Sequence, residues 1–221
     1  MMKFIYCAGG FGKEMMDIAR RQKKIKNTGE DIFFIDDSLN DAIEIYQTRS
    51  YTFSSVLEKF SFSDLNHHIV IANGEPIHRK NIFDRIMKNS IGLDQLIDPS
   101  AIISDTAILG EGILVAPLAS IASQACLQGN VAINTMAIVG HDVQVGEHTV
   151  ISSMVNLGGS SVIGRETYIG MGAQIKERVK IGNNSIVGMG AVVYDDIPDQ
   201  VIALGNPARV MRKNTDQKVF K

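Results

Sequence analysis

The sequence of 221 residues has no excess of charge, few cysteines and no long apolar run. Lysine and arginine number 22 against 24 aspartates and glutamates, so no basic field exists for nucleic acid or an anionic membrane. The apolar N-terminal segment ends at Gly9 and is therefore too short for a signal peptide. No stretch of the sequence has the length and apolarity of a membrane span. We therefore expect a cytoplasmic protein with no nucleic acid partner and no membrane span.

The two cysteines, Cys7 and Cys126, are far apart in the sequence, and each is set among apolar residues. This arrangement predicts buried thiols and not a disulfide or a metal site. A hydrophobic content of 45% is enough for a real core in one large domain or two modest ones.

A six-residue repeat fills the second half of the chain. Isoleucine, leucine or valine occupies every sixth position from Ile97 to Val193 without a break. A small or β-branched residue follows each aliphatic four places later, and glycine often follows one place later, as at Gly140 and Gly164. Self-similarity at a fixed period indicates a repeat architecture.

A period of six fits neither a helix nor a lone alternating strand, but it fits short strands joined by tight corners. Three hexads would then make one coil, with successive coils ~4.8 Å apart and the aliphatics stacked inside. We expect glycine where the corners need unusual backbone angles. The unbroken register excludes a long loop inserted between Ile97 and Val193.

The hexad resembles the left-handed parallel β-helix of the bacterial hexapeptide acyltransferases. The segment Gly205-Asn206-Pro207-Ala208-Arg209 is similar to the GNPA-[KR] segment that follows the last coil in that superfamily. The resemblance implies a homotrimer with active sites between subunits. It also implies that acyl-CoA lies in the groove between two prisms, where the terminal loop covers its adenine end.

The first part of the chain predicts a small α/β domain of Rossmann-like character over residues 1–92. An apolar strand at 3–7 precedes a glycine turn and a helix, a second strand ends at Asp36-Asp37, a third ends at Asn73, and a helix lies near 79–88. A glycine turn at a helix N-terminus suits an anion, although the spacing departs from G-x-G-x-x-G and argues against a dinucleotide. Ligands of such sheets collect at the carboxyl ends of the strands, where Gly10, Asp36 and Asn73 lie.

The order of the predicted domains resembles the sialic acid O-acetyltransferase-like family. The chain is divided into an α/β domain (1–92), a left-handed β-helix with a terminal CoA loop (93–212) and a polar tail (213–221). That family includes the N-acetyltransferases of nucleotide-linked 4-amino-4,6-dideoxy sugars. Its opening pattern is similar to residues 7–13, but Cys7 replaces a glycine and Phe11 replaces the usual histidine. The residues expected to bind the nucleotide sugar are Gly10, Gly12, Asp36, Asp37, Asn73 and Asn134.

The acidic pair Asp36-Asp37 has two interpretations. Two carboxylates can accept the ring N–H donors of a uracil, thymine or guanine, so the identity of the base stays open. The alternative is a pair that only caps its own loop.

Transfer of an acyl group from a thioester to an amine needs a base for the amine proton and donors for the oxyanion. His141 occupies the third place of its hexad, which points outward, and the adjacent Asp142 could fix its tautomer. The resemblance also puts a catalytic His and an acid here, so we predict that His141 is the general base and Asp142 its orienting partner. His148 lies two residues before Val150, where some family members have a second histidine, and is expected to be peripheral.

The expected CoA contacts follow from the same resemblance. Backbone N–H groups at outward corners are the donors for the thioester carbonyl, with Gly159 one coil above His141. The residues expected to bind acetyl-CoA are Gly159, Gly188, Gly190, Pro207 and Ala208.

The sequence thus predicts an N-acetyltransferase that moves acetyl from acetyl-CoA to a nucleotide-linked 4-amino-4,6-dideoxy sugar for surface glycan synthesis. O-acetylation of sialic acid or a related sugar is the alternative. A γ-type carbonic anhydrase is poorly supported, because His141 and His148 do not stack 18 residues apart, and we expect no metal. A scaffold role would leave the glycine turn, Asp36-Asp37 and the terminal pentapeptide unexplained.

Overall fold

The computed structural model describes residues 2–60 and 67–220, so residues 1 and 61–66 of the predicted 1–92 domain lie outside the described residues. The elements of the first part are as follows: β1 (Met2–Tyr6), α1 (Gly10–Lys26), β2 (Asp31–Ile35), β3 (Ile43–Ile45), β4 (Thr48–Tyr51), α2 (Phe53–Lys59), β5 (His67–Ile71) and α3 (Pro76–Met87). We call residues 2–60 and 67–93 the α/β unit.

The α/β unit is built on one sheet with the strand order β3-β4-β2-β1-β5. β1 pairs in parallel with both β2 and β5, so the loops that follow these three strands meet at one edge. Phe4 and Ile5 point to opposite faces of β1 and both are fully buried, as expected of a central strand covered on both sides. The predicted α/β class is confirmed, and the hairpin of β3 and β4 is an addition to it.

Two-residue strands form the three faces of the second part. Face 1 contains Leu96–Ile97, Leu114–Val115, Ala132–Ile133, Val150–Ile151, Tyr168–Ile169 and Ile186–Val187. Face 2 contains Ile102–Ile103, Ser120–Ile121, Ile138–Val139, Asn156–Leu157, Gln174–Ile175 and Val192–Val193. Face 3 contains Ile108–Leu109, Cys126–Leu127, Gln144–Val145, Val162–Ile163 and Lys180–Ile181.

The pairing confirms the predicted left-handed parallel β-helix. Val139 pairs with Ile121 one coil below and Leu157 one coil above, an offset of 18 residues that is kept along the whole solenoid. The second residue of each strand points inward, and Val139 and Leu157 are both fully buried. Each such side chain contributes roughly 1.5–3 kcal/mol on burial, so the stack of aliphatics is the main source of stability.

The expected reason for the repeated glycines is wrong. The left-handed backbone angles fall at the fourth place of the hexad and are adopted by Asp142 (φ 57°), His148 (φ 61°) and Met154 (φ 58°), among others. The glycines one place after the aliphatics are needed instead for close approach between coils. A Cβ on Gly140 would lie 2.7 Å from the carbonyl oxygen of Leu157 in the next coil.

Three edges join the faces, and they are numbered in the order in which the chain passes through them. Edge 1 joins faces 1 and 2 through residues 98–101, 116–119, 134–137, 152–155, 170–173 and 188–191. Edge 2 joins faces 2 and 3 through residues 104–107, 122–125, 140–143, 158–161 and 176–179. Edge 3 joins faces 3 and 1 through residues 110–113, 128–131, 146–149, 164–167 and 182–185.

The α/β unit packs on face 1 of the solenoid. The outward residues Leu114, Ala132 and Val150 are at most 1% exposed because α1 covers them with residues such as Met15 and Met16. At the first coil, Arg21 of α1 forms an ion pair with the buried Asp98 (Nε to Oδ2, 3.0 Å). Apolar burial and this ion pair fix the position of the α/β unit relative to the coils.

A hairpin closes the top of the solenoid. Val201–Leu204 continues face 1 beyond Val187, and Arg209–Lys213 pairs with it in antiparallel fashion. Residues 214–220 then turn back toward the α/β unit, and the contacts of this segment are described below.

Candidate active site

Three loops of the α/β unit meet at the carboxyl ends of its parallel strands. The N–H of Ala8, after β1, donates to Asp36 Oδ2, after β2, at 2.8 Å. The side chain of Asn73, after β5, donates to Cys7 Sγ at 3.4 Å. The structure therefore brings Gly10, Asp36 and Asn73 into one region, as the sequence predicts.

The first turn of α1 is open to an anion. Gly9 precedes the helix, no side chain caps its N-terminus, and no acidic residue lies in the first turn. Gly10 is exposed, with nothing within 4 Å of the place where a Cβ would lie. Gly12 is required by packing, since its Cβ would lie 2.0 Å from the Cys7 carbonyl oxygen. Free backbone N–H groups and the helix dipole both favour a phosphate here.

Both carboxylates of the acidic pair have local partners. Asp36 also accepts from the backbone and hydroxyl of Ser38. Asp37 accepts from the Tyr6 hydroxyl at 2.6 Å, from the Phe53 N–H at 2.9 Å and from Arg85. Burial opposes ionisation of Asp37, but these donors outweigh burial and hold the pKa of Asp37 below its usual value. The bonds from Ser38 to Asp36 fit the loop-capping interpretation, whereas the partners of Asp37 come from three other segments of the α/β unit.

Neither cysteine is as buried as expected. Cys7 and Cys126 are free thiols and only partly buried. Cys7 has φ 83°, a left-handed conformation that a glycine would adopt without strain. Burial raises the pKa of the Cys7 thiol to about 11, so the thiol stays protonated at neutral pH.

His141 lies on edge 2 and is paired with its neighbour in sequence. The distance from His141 Nδ1 to Asp142 Oδ2 is 2.7 Å, and both side chains are exposed. If Nδ1 donates to the carboxylate, Nε2 is left with its lone pair free toward solvent. Asp142 can make this bond because its left-handed backbone turns the carboxylate back toward the ring.

Gly159 lies against the His141 ring, one coil above it. A Cβ on Gly159 would fall 2.5 Å from His141 Nε2 and 2.7 Å from Cε1. The Gly159 nitrogen is 2.9 Å from the position of a Cβ on Gly140, so two missing side chains leave this N–H uncovered. In the described part of the chain, the Gly159 N–H has no acceptor. An imidazole and a free N–H donor are thus adjacent.

The other predicted CoA contacts lie near the top of the solenoid. Gly188 and Gly190 are on edge 1, and Gly190 has φ 64° with open space around it. The Ala208 N–H donates to the carbonyl oxygen of Val192, which puts Pro207 and Ala208 beside face 2. Gly188 lines a cavity of about 500 Å³ whose walls are mainly apolar.

Asn134 lies on edge 1, facing the start of α1. Its Oδ1 is buried without a partner among the described residues. The next residue, Thr135, lines a cavity of about 160 Å³ together with Glu14, Asp17 and Arg21 of α1. Asn134 is therefore on the same edge as Gly188 but not on the edge of His141.

His148 is buried at the junction of the α/β unit with edge 3, away from His141 on edge 2. Its Nδ1 lies 3.0 Å from Asn130 Nδ2, and its ring packs on Phe83 of α3 with centroids 4.9 Å apart. Burial, helped by the charge of Arg79, lowers the pKa of His148 to about 4. The imidazole is therefore neutral at physiological pH.

Arg79, which the sequence did not single out, is the centre of this junction. The guanidinium is fully buried and donates to the Asn130 carbonyl oxygen from Nε (3.0 Å) and Nη2 (2.9 Å). Nη1 donates to the carbonyl oxygens of Ile71 (2.6 Å) and Asn73 (3.1 Å) at the end of β5. Burial lowers the pKa of Arg79 to about 9, so it remains charged. The only signal for this site in the sequence was the presence of an arginine in a predicted amphipathic helix.

The predicted catalytic residues and the predicted nucleotide-sugar residues of the α/β unit form two groups on opposite sides of one chain. His141, Asp142 and Gly159 lie on edge 2, between faces 2 and 3, while the α/β unit covers face 1. In a three-sided prism, an edge lies opposite the face that it does not border. The structure therefore brings the catalytic candidates together, and brings the nucleotide-sugar candidates of the α/β unit together, but separates the two groups.

Within residues 2–60 and 67–220, no group of three histidine, cysteine, aspartate or glutamate residues is arranged to hold a metal ion. None of the helices in these ranges has the length and apolarity to cross a membrane.

Two family models match the chain. The model of the PglD N-terminal domain matches residues 4–86, and that of the bacterial transferase hexapeptide (six repeats) matches residues 160–195. A comparison with curated protein sequences finds no significant match.

Several solved structures are similar over almost the full length. The acetyltransferase domain of PglB from Neisseria gonorrhoeae is 31% identical, with 95% of this chain and 99% of that one covered and a TM-score of 0.85. A further structure of that domain contains acetyl coenzyme A. WeeI from Acinetobacter baumannii is 28% identical, with coverage of 96% and 100% and a TM-score of 0.88.

Perosamine N-acetyltransferase from Caulobacter crescentus, solved as a histidine-to-asparagine variant with CoA and GDP-perosamine, is 26% identical. Its coverage is 96% of this chain and 97% of that one, with a TM-score of 0.84. The chain belongs to the hexapeptide-repeat acyltransferases with a PglD-type N-terminal domain, the sialic acid O-acetyltransferase-like family.

Proposed function

We propose that this protein transfers acetyl from acetyl-CoA to the amino group of a nucleotide-linked 4-amino-4,6-dideoxy sugar for surface glycan synthesis. The observation that carries the proposal is the His141–Asp142 pair beside the uncovered N–H of Gly159. Support also comes from the relatives, because the perosamine enzyme binds CoA with a GDP-linked amino sugar and the PglB domain binds acetyl-CoA.

In this mechanism, His141 acts as the general base and Asp142 as its orienting partner. Asp142 accepts a hydrogen bond from Nδ1–H, which fixes the tautomer and directs the Nε2 lone pair at the sugar amine. The amine attacks the thioester carbonyl as Nε2 takes its proton. The C–S bond then breaks as Nε2–H gives that proton to the sulfur, so CoA leaves as the thiol. The Gly159 N–H donates to the oxyanion of the tetrahedral intermediate.

The nucleotide sugar is proposed to bind to the α/β domain (1–92), with its diphosphate at Gly10 and Gly12. The positive end of α1 and the uncapped N–H groups suit this anion. Asp36 and Asp37 are the candidate contacts for the base, with Asn73 and Asn134 closer to the sugar.

The β-helix domain (93–212) is proposed to bind acetyl-CoA along Gly188, Gly190, Pro207 and Ala208. Arg212 and Lys218 line the same cavity as Gly188, and they supply positive charge beside an apolar lining. An apolar lining with positive charge beside it suits CoA, in which the thin pantetheine arm is attached to an anionic nucleotide.

We propose a homotrimer with active sites between subunits, and the separation of the two groups of residues supports it. His141 lies opposite the face that carries its own α/β unit, so a sugar bound there is offered to the base of a neighbouring copy. The exposed apolar residues Leu118, Met136 and Met154, stacked along edge 1, supply a surface for such a contact.

The test is an activity assay with acetyl-CoA and UDP-, dTDP-, GDP- and CMP-linked 4-amino sugars, with sialic acid as a second class of acceptor. We expect turnover with a nucleotide-linked amino sugar and a fall in kcat of about 10²–10⁴-fold for His141→Ala, with CoA binding retained. Near-normal turnover by His141→Ala would exclude the proposed base. Acetylation of sialic acid without a nucleotide would favour the O-acetyltransferase.

A further inference from the structure

A strap formed by residues 214–220 links the solenoid to the α/β unit. At its start, Asn214 is 5% exposed, donates from its N–H to the Gln200 carbonyl oxygen at 2.8 Å, and donates from Nδ2 to that of Asn184 at 2.8 Å. At its end, the N–H groups of Val219 and Phe220 reach the α/β unit. The strap is therefore anchored at both ends and is a built part of the fold.

The end of the strap is held by a buried carboxylate. Glu75 is 5% exposed, and its Oε1 and Oε2 accept the N–H groups of Val219 (2.6 Å) and Phe220 (3.1 Å). Glu75 precedes α3 but its side chain does not cap that helix. Hydrogen bonds to an ionised acceptor are stronger than neutral ones, so this carboxylate fixes the strap.

The strap forms one wall of the cavity of about 500 Å³ that contains Gly188. The opposite wall is face 1 above the α/β unit, and strap residues Val219 and Phe220 also line the cavity. The wall on the side of the solenoid consists mainly of Tyr168, Met171, Ile186, Met189, Ile202 and Leu204.

Phe220, which is 55% exposed, lines the end of this cavity that is nearest to the nucleotide-sugar loops. Its ring meets that of Tyr168 edge-on, with centroids 5.7 Å apart at 82°. The ring also lies 3.6 Å from the position of a Cβ on Gly74, the residue after Asn73. An apolar arm that enters beside the Gly205–Ala208 segment and follows the coils downward therefore ends at the Tyr168–Phe220 pair.

We propose that Phe220 determines the length of the acyl group that the enzyme accepts, by closing the acyl end of this cavity. This inference rests on the proposed function, in which the cavity holds the arm of the acyl-CoA. The rows from Ile202 to Tyr168 span two coil spacings, ~10 Å in total, so a longer acyl chain meets the ring of Phe220. Discrimination against one additional methylene in an apolar pocket is about 10–200-fold.

The experiment compares acetyl-CoA with butyryl-CoA in the wild type, in Phe220→Ala and in a chain that ends at Lys213. We expect kcat/KM for butyryl-CoA, divided by that for acetyl-CoA, to rise about tenfold or more in both variants. Val210→Ala is the matched control, because Val210 is similarly exposed in the adjacent hairpin but does not line the cavity. A purely structural role of Phe220 would change both thioesters in parallel and leave the ratio constant.

Calorimetric affinities for the two thioesters separate failure of this inference from failure of the proposed function. A wild type that binds acetyl-CoA, with an unchanged ratio in Phe220→Ala and in the shortened chain, overturns the role of Phe220 alone. A wild type that binds neither thioester overturns both. An increase in acetyl-CoA affinity on shortening, with the ratio constant, identifies the strap as an obstruction and also overturns the inference.

Discussion

The imidazole of His141 lies directly below Gly159, in the space that a side chain at position 159 would fill. We predict that Gly159→Ala displaces the ring and lowers kcat/KM by about 10²-fold, because its Cβ would fall 2.5 Å from Nε2. The measurement is steady-state kinetics together with the melting temperature.

Gly129→Ala is the control for this substitution. Gly129 has the same place in its hexad, but its Cβ would meet only the Glu111 carbonyl oxygen, at an ordinary 3.7 Å. It should leave kcat/KM nearly unchanged. Equal losses in the two variants would mean that the corner glycines act on the fold and not on the base.

The bond from His141 Nδ1 to Asp142 makes a second prediction. Asp142→Asn should lower kcat by about 10- to 100-fold, because an amide presents either donor or acceptor to Nδ1 and no longer selects one tautomer. Asparagine tolerates the left-handed backbone of this position (φ 57°), so the fold should be preserved. The kinetic constants and the KM for acetyl-CoA are measured together. An unchanged kcat contradicts an orienting role, and a large rise in KM alone indicates a binding role.

The solenoid was the part of the fold most accessible to prediction from the sequence. A hexad with every sixth residue buried and three hexads to a coil puts residues 18 apart on the same edge, so the positions of His141 and Gly159 on one edge follow from counting, while the handedness came from the resemblance. The positions with left-handed backbone angles (positive φ) could not be located by counting hexads. Residues as different as Asp142, His148 and Met154 adopt them, because the tight corner imposes the conformation whatever the side chain.

Contacts between residues far apart in the sequence could not be predicted from the hexad pattern. Arg79 and Asn130 are 51 residues apart, and a buried guanidinium that bonds only to carbonyl and amide oxygens has no sequence signature. The strap was missed for a similar reason. Residues 214–220 are mostly polar in composition, and tertiary contacts with residues such as Asn184, Glu75 and Tyr168 give this segment its position.

The separation of His141 from the α/β unit of its own chain makes a third prediction. Gly10→Glu should abolish acceptor binding, because it puts a carboxylate at the proposed phosphate site. The substitution should preserve the fold, since the new Cβ meets no other atom and an acid in the first turn does not destabilise a helix. Mixing His141→Ala subunits with Gly10→Glu subunits should then restore activity, since some interfaces combine an intact base with an intact acceptor site.

The mixture is prepared by co-expression with two affinity tags, and activity is measured on the doubly purified oligomer. The control is a mixture of His141→Ala with the double variant His141→Ala/Gly10→Glu, which should stay inactive. Absence of activity in an assembled mixture of the two single variants would place the base and the acceptor in one chain.

The buried His148 makes the last prediction, which concerns stability. Its pKa of about 4 in the fold lies below the ordinary 6.5, so the unfolded chain binds the proton more readily. No penalty exists well above pH 6.5, and stability is lost as the pH falls from there toward 4. Linkage gives a loss of about 2 kcal/mol between pH 7.5 and 5 from this residue.

The charged groups around His148 are Arg79, Lys80, Asp84 and Arg165, of which only Asp84 favours protonation. Other groups also titrate in this range, so the measured quantity is the difference between the wild type and His148→Asn in urea unfolding at the two pH values. Asparagine fits the left-handed corner, as Asn130 and Asn184 do one coil below and two coils above. The wild type should lose more stability than the variant on acidification, and equal losses would show that the imidazole is protonated in the fold without cost.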